Sequence, residues 1–170
     1  MAGLRPGKID REVDKPAYTR REFVRGVPGI KVVHYDMGAR DKEFPVEVSL
    51  SLKEDCQIRH NALEAARVVS NRFLEKRVGK TNYYLKIRVY PHIILRQNRM
   101  ATGKKADRYG DGMKRSFGKA VGTAARVKSS QKIMSVWCNQ GSVKHAKTAL
   151  RKAGMKFPYG FSIDVESNVA

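Results

Sequence analysis

The run from Pro45 to Gly79, "PVEVSLSLKEDCQIRHNALEAARVVSNRFLEKRVG", changes its hydrophobic period partway along, and that change decides the fold class. In its first eight residues Val46, Val48, Leu50 and Leu52 alternate with Glu47, Ser49 and Ser51, the period of a strand with one buried face. From Asn61 the period becomes helical, with Ala62, Ala66, Val69 and Phe73 on one stripe. Asn61 is placed to cap this helix, Glu64 stands three residues on as in a capping box, and Gly79 can close it.

Downstream, "YYLKIRVYP" sets Leu85, Ile87 and Val89 against Lys86, Arg88 and Tyr90, so one face suits a core and the other an anion. Pro91 interrupts this run, and "HIILRQ" resumes as a second strand or continues past a bulge. "TAARVK" and "KIMSVWC" read as paired strands, with Trp137 read as a core residue in preference to the alternative of a stacking platform. Ser142 then caps "VKHAKTALRKAG", whose Val143, Ala146, Leu150 and Ala153 form a stripe ended by Gly154, and "FSIDV" reads as a last strand. Upstream, "KVVHY" (Lys31 to Tyr35) could be a strand. Residues 1–30 are polar, broken by Pro6, Pro16 and Pro28, and carry Arg20, Arg21 and Arg25 among Tyr18 and Phe23. The pattern predicts an α/β two-layer sandwich of mostly antiparallel or mixed sheet with two main helices. Residues 31–165 would form one domain, preceded by an extended basic arm over 1–30 and followed by a short tail over 166–170.

The 170-residue chain is 41% hydrophobic, enough for a core, yet it carries 35 Lys and Arg against 16 Asp and Glu, a net charge of +19. Such self-repulsion destabilises an isolated compact state unless a polyanion neutralises it, which makes nucleic acid the leading partner. A membrane is the weaker alternative, because no amphipathic basic helix with bulky aromatics, lipidation signal or apolar run of spanning length occurs. The start lacks a secretory signal, so a cytoplasmic location is expected. Cys56 and Cys138 stand alone and read as reduced structural thiols.

From Arg99 to about Gly122 neither period survives, yet glycine recurs at 103, 110, 112, 118 and 122. Nine cations (Arg99, Lys104, Lys105, Arg108, Lys114, Arg115, Lys119, Arg126 and Lys128) face Asp107 and Asp111, a local net of +7 over Arg99 to Lys128. "GDGMKRSFGKA" imitates a phosphate-cradling nucleotide loop. However, five residues separate Gly112 from Gly118 where four are needed, and Ala120 supplies no hydroxyl for magnesium. An RNA backbone suits these residues better: glycine permits close approach, spaced cations neutralise phosphates, and Met113 and Phe117 can pack on bases. A solvated loop without ligand is the plainer alternative. His34, His60, His92 and His145 form no ligand pair, Asp107 and Asp111 are crowded by cations, and no hydrolase elbow appears. Neither cofactor, metal nor catalysis is expected.

"RGVPG", "EFPVEVSL", "ALEAAR", "RVYPHIILRQNRM", "ADRYGDGMKRSFGKAVGTAARV", "QKIMSVW" and "ALRKAGMKFP" together resemble the archaeal and eukaryotic large-subunit ribosomal protein ten-e family, related to bacterial large-subunit ribosomal protein sixteen. The matches run in family order from about Arg25 to Pro158. The resemblance implies a hammerhead-like α/β domain on large-subunit rRNA, with neighbouring ribosomal proteins and, in the assembled ribosome, tRNA as partners. Its long loop would reach toward the peptidyl-transferase centre. The segment Met100 to Gly112 is similar to that loop, which makes Thr102, Gly103, Lys104, Lys105, Arg108, Tyr109 and Gly110 the tRNA-proximal residues. Arg115, Phe117, Gly118, Lys119, Gly122, Thr123 and Arg126 keep the pattern that follows it. The short end after Phe157 looks archaeal. The expected RNA-binding set is Arg20, Arg21, Arg25, Lys86, Arg88, Arg96, Arg99, Lys114, Arg115, Lys119, Arg126 and Lys128. A free-standing RNA-binding or RNA-chaperone module is the alternative, and a nucleotide-dependent enzyme ranks third.

Overall fold

A computed structural model describes Val13 and residues 15–98, 100–101, 103–104, 106–110, 112–114 and 116–167. Its elements are β1 (Asp36–Gly38), β2 (Val46–Leu52), β3 (Cys56–Arg59), α1 (His60–Arg77), β4 (Tyr83–Ile87), β5 (Ile93–Gln97), β6 (Lys119–Val127), β7 (Lys132–Cys138), α2 (Val143–Gly154) and β8 (Phe161–Ser167). A five-stranded sheet has the order β1-β4-β7-β2-β8 and a three-stranded sheet the order β3-β6-β5. Every pairing is antiparallel, and two helices complete an α/β fold of the expected class.

The two sheets are joined at a stitched corner. The chain passes from β2 to β3 there and from β6 to β7. Across it Ser130 donates its N–H to Leu52 O (2.9 Å), Ser129 Oγ donates to Lys53 O (2.8 Å), and Ser129 N–H reaches Asp55 Oδ1 (2.6 Å). Consequently "TAARVK" and "KIMSVWC" are successive but unpaired: the first lies between β3 and β5, the second between β2 and β4. β3 escaped the sequence reading because four residues are too few to establish a period. "KVVHY" is not a strand. Val32 is buried and Val33 is 71% exposed, but pairing with β4 is limited to β1 and one added bond, from Ile87 N–H to Tyr35 O.

α2 lies on β2, β7 and β8, while α1 packs beside α2 and reaches β3, β4 and β6. The core they share contains Val48, Leu50, Leu63, Leu74, Leu85, Met134, Val136 and Leu150. α2 follows its predicted stripe, burying Ala146, Leu150 and Ala153, although Ser142 makes no side-chain cap bond. Gly154 is required by packing, because a Cβ there would stand 2.6 Å from the Phe161 ring.

α1 turns its face differently from the expected stripe. Its buried residues are His60, Leu63, Ala66, Ser70 and Leu74, with Ala62 and Phe73 only partly covered at the margin. Ser70 is tolerated inside because its hydroxyl donates to Ala66 O at 2.8 Å. The helix begins at His60 without a side-chain cap from Arg59. Asn61 Oδ1 accepts from the adjacent Ala62 N–H (3.1 Å), and Glu64 turns forward to Arg67 at 2.6 Å. Gly79 does close the helix, at φ +87° with its N–H on Leu74 O.

His60 joins the segment entering β1 to the start of α1. Its Nδ1 accepts the Lys31 N–H at 3.1 Å, and its ring lies against Gly122 of β6. Burial, assisted by Lys31 and Arg59, lowers its pKa below the ordinary 6.5, so the neutral acceptor form is native. Below about pH 6.5 the unfolded chain binds a proton that the folded chain resists, so stability should fall as pH drops through that range toward the folded pKa. Denaturant titrations at several pH values check this, with His60→Gln expected to flatten the dependence.

Candidate nucleic-acid interface

The glycine-rich excursion leaves the small sheet at Gln97 and returns at Lys119, which pair across β5 and β6. β6 therefore begins three residues before Gly122, inside the span read as loop. Its start lacks alternation because the pairing shifts between Leu95 and Arg96. At the root, a Cβ on Gly118 would lie 2.7 to 2.9 Å from backbone atoms of Gln97 and Asn98, so only glycine lets the two chain segments meet. A strand follows Gly118, not a helix, so the site has no helix N-terminus to hold nucleotide phosphates.

Beside this root the Arg96 guanidinium lies between two rings, 4.3 Å from the Tyr18 centroid and 4.1 Å from that of Phe117. The rings meet edge to face, 6.3 Å apart at 70°. Tyr18 O also accepts the Ile94 N–H (2.9 Å), covering the open edge of β5, and Arg126 donates to Lys15 O (2.6 Å). The extended N-terminal segment is thus docked on the small sheet. Arg96 and Arg126, expected to face RNA directly, position that segment.

Within the excursion, Ala106–Arg108 forms a 3-10 turn. Ala106 N–H bonds to Gly103 O, and both Tyr109 and Gly110 donate to Ala106 O (3.1 to 3.2 Å). The segment is locally folded although neither hydrophobic period runs through it, because backbone bonds of this kind require none. Gly103, Lys104, Arg108, Gly110 and Lys114 are exposed, as are Met100, Tyr109 (86%) and Met113 (69%). Cations and large apolar groups therefore share one solvent-facing excursion, the combination that neutralises phosphate and packs on bases. Arg99, Thr102, Lys105 and Arg115 lie outside the described residues, as do Asp111 and the side chain of Asp107.

Arg20, Arg21 and Arg25 are exposed around a second 3-10 turn, Arg21–Phe23, and Lys119 and Lys128 are exposed at the two ends of β6. Lys86 and Arg88 stand apart from these, on the face of the larger sheet that turns away from the helices. Lys86 is exposed. Arg88 is engaged: it donates to Glu47 Oε1 and Ser135 Oγ, both at 2.7 Å, and Lys132 adds a contact to Glu47 at 3.5 Å. These contacts cover Glu47, and Ser51 is held by Ser162 Oγ (2.7 Å) and Asp164 Oδ2 (3.3 Å) of β8, so Glu47, Ser49 and Ser51 are buried on a β2 flanked by β7 and β8 where the alternation predicted an exposed face.

Trp137 belongs to the same outer face and not to the core. Its ring stacks on Tyr84 at 5.0 Å and 24°, with the Arg88 guanidinium 5.3 Å from its centroid. The sequence held the signal: Met134, Val136 and Cys138 alternate inward, so Trp137 shares the side of Ser135. Cys56 and Cys138 are fully buried free thiols, each pushed up to about 11 chiefly by that burial, and so remain protonated at neutral pH.

The family model described as ribosomal protein L16p/L10e matches residues 13–164. Among curated relatives, the large ribosomal subunit protein uL16 of Methanocella arvoryzae is 53% identical over 162 residues, covering 95% of this chain and 94% of the relative. The uL16 proteins of Methanococcus aeolicus and Methanospirillum hungatei are 56% and 55% identical, each over 91% of this chain and 90% and 91% of their own lengths.

Proposed function

Because the chain belongs to the ribosomal protein L16p/L10e family, we propose that it is a structural, non-catalytic constituent of the large ribosomal subunit that holds rRNA through its small sheet, docked arm and basic excursion. The observation that carries this reading is the excursion itself. It is rooted by the Arg96 clamp and by Gly118, and it presents Lys104, Arg108, Lys114, Tyr109 and Met113 to solvent in a chain of charge +19. In the finer reading, the excursion faces bound tRNA near the peptidyl-transferase centre. Its supports are its length, the exposure of Tyr109 and its likeness to the family loop. Residues 31–165 act as one RNA-binding domain behind the arm of residues 1–30; β8, ending at Ser167, takes in the first residues of the tail read as 166–170. Among the described residues no helix is long and apolar enough to cross a membrane.

Two measurements test the reading together. The protein should co-sediment with purified large subunits, and a substantial pool away from ribosomes would favour an independent RNA-binding module instead. Its affinity for rRNA fragments should fall with salt by a slope of roughly 0.7 to 0.9 per phosphate neutralised. Replacing Arg20, Arg21 and Arg25 with Gln should reduce that slope by about 2 to 3; an unchanged slope would remove the arm from the interface.

A further inference from the structure

The outer face of the larger sheet carries a hollow that the RNA contacts proposed above do not use. It is open, about 570 Å³, and lies between the β1–β2 connection, which contributes Arg40, Lys42, Glu43 and Phe44, and the stacked rings of Tyr84 and Trp137. From this hollow, and resting on the RNA-binding reading, we infer that it is a subsite for one unpaired nucleotide of ribosomal RNA.

Three features select that occupant. First, the two rings are already held as a platform. Tyr84 and Trp137 stack on each other across β4 and β7, the Tyr84 hydroxyl donates to Asp36 Oδ1, and Arg88, itself fixed by Glu47 and Ser135, lies over the indole, so the stack is fixed from both sides. A base entering such a site loses little to ordering of the protein. Second, the rim charge suits a phosphate. Arg40 and Lys42 are exposed, with Lys86 exposed on the same sheet face next to Tyr84, against the lining carboxylate of Glu43 and that of Asp36 held on the Tyr84 hydroxyl. Third, the platform lies on the larger sheet whereas the excursion leaves the smaller one, so a second RNA segment can be engaged without displacing the first. Paired bases cannot reach the rings, because in a helix each base is already stacked on its neighbours. This site therefore distinguishes an unpaired nucleotide from duplex.

Trp137 is the chain's one tryptophan and reports on its own site. The full chain is titrated with single-stranded oligoadenylate, an RNA duplex of equal length and inorganic polyphosphate. Binding is followed by gel retardation and the site by indole fluorescence. All three should bind, but only the single strand should quench the indole saturably. Tyr84→Leu should weaken the single strand by about 5- to 100-fold relative to polyphosphate, Arg40→Gln should weaken the single strand and reduce the salt dependence of its binding, and Tyr84→Phe keeps the stack and the affinity. In large subunits stripped of tRNA, Trp137 should still crosslink to rRNA. Equal quenching by polyphosphate, unchanged single-strand affinity in both Tyr84→Leu and Arg40→Gln, or a crosslink that requires tRNA or goes to protein overturns the subsite. Those outcomes leave the general RNA reading intact, whereas failure of all three polyanions to bind ends both.

Discussion

Replacing Leu63 with alanine should lower the unfolding free energy by about 2 to 5 kcal/mol, the range for a large aliphatic side chain removed from a closed core. Leu63 is fully buried on α1, where the helix faces β3, β6 and β4, and the size of the loss within that range reflects how far these elements close on the cavity. A loss of that size is a large fraction of the ~5 to 15 kcal/mol that holds a domain together. Val68→Ala, on the opposite side of the same helix at 43% exposure, should change stability by no more than about 0.5 kcal/mol. Chemical denaturation of the two variants tests the rotation of α1 directly. The stripe read from the sequence ran through Ala62, Ala66, Val69 and Phe73, and the buried one runs through Leu63, Ala66, Ser70 and Leu74. Equal effects at the two positions would refute the observed packing.

Shortening the excursion across Thr102 to Asp111 should leave the denaturation midpoint nearly unchanged and lower tRNA-dependent peptide synthesis by assembled subunits about tenfold, equivalent to ~1.4 kcal/mol. The fold is spared because none of the described residues of this span belongs to the hydrophobic core cluster, and loop length enters closure entropy only logarithmically. Function suffers because the deletion removes Lys104, Arg108 and Tyr109, which the excursion exposes together. The root stays intact, since Arg96, Phe117 and Gly118 lie outside the deleted span. Full activity of the shortened protein in tRNA binding and peptide synthesis would remove the excursion from the tRNA region while leaving rRNA binding untouched.

Much of the candidate interface was legible in sequence because charge and glycine are local properties. Lys104, Arg108, Lys114 and Lys119 are exposed as their composition suggested, and the failed nucleotide-loop spacing agrees with the strand that follows Gly118. What each cation touches was not legible. Arg88 and Lys86 look equivalent two residues apart, yet Arg88 is bound by Glu47 from a strand 41 residues earlier, and Lys86 remains exposed. Arg96 gave no sign that Tyr18 and Phe117 would close on it from opposite directions along the chain.

By itself the sequence determined the charge surplus that points to a polyanionic partner, the alternation of β2 and β4, the existence of both helices and the α/β class. Charge balance and hydrophobic period are set by neighbours a few residues apart, and these are present in any one segment. Only the tertiary structure decided the split into two sheets, the rotation of α1, the burial of both faces of β2 and the outward placement of Trp137. Each of these depends on which distant strand or side chain offers the better surface, and that choice is made when Ser129 and Ser130 stitch the corner and Arg88 folds over Glu47.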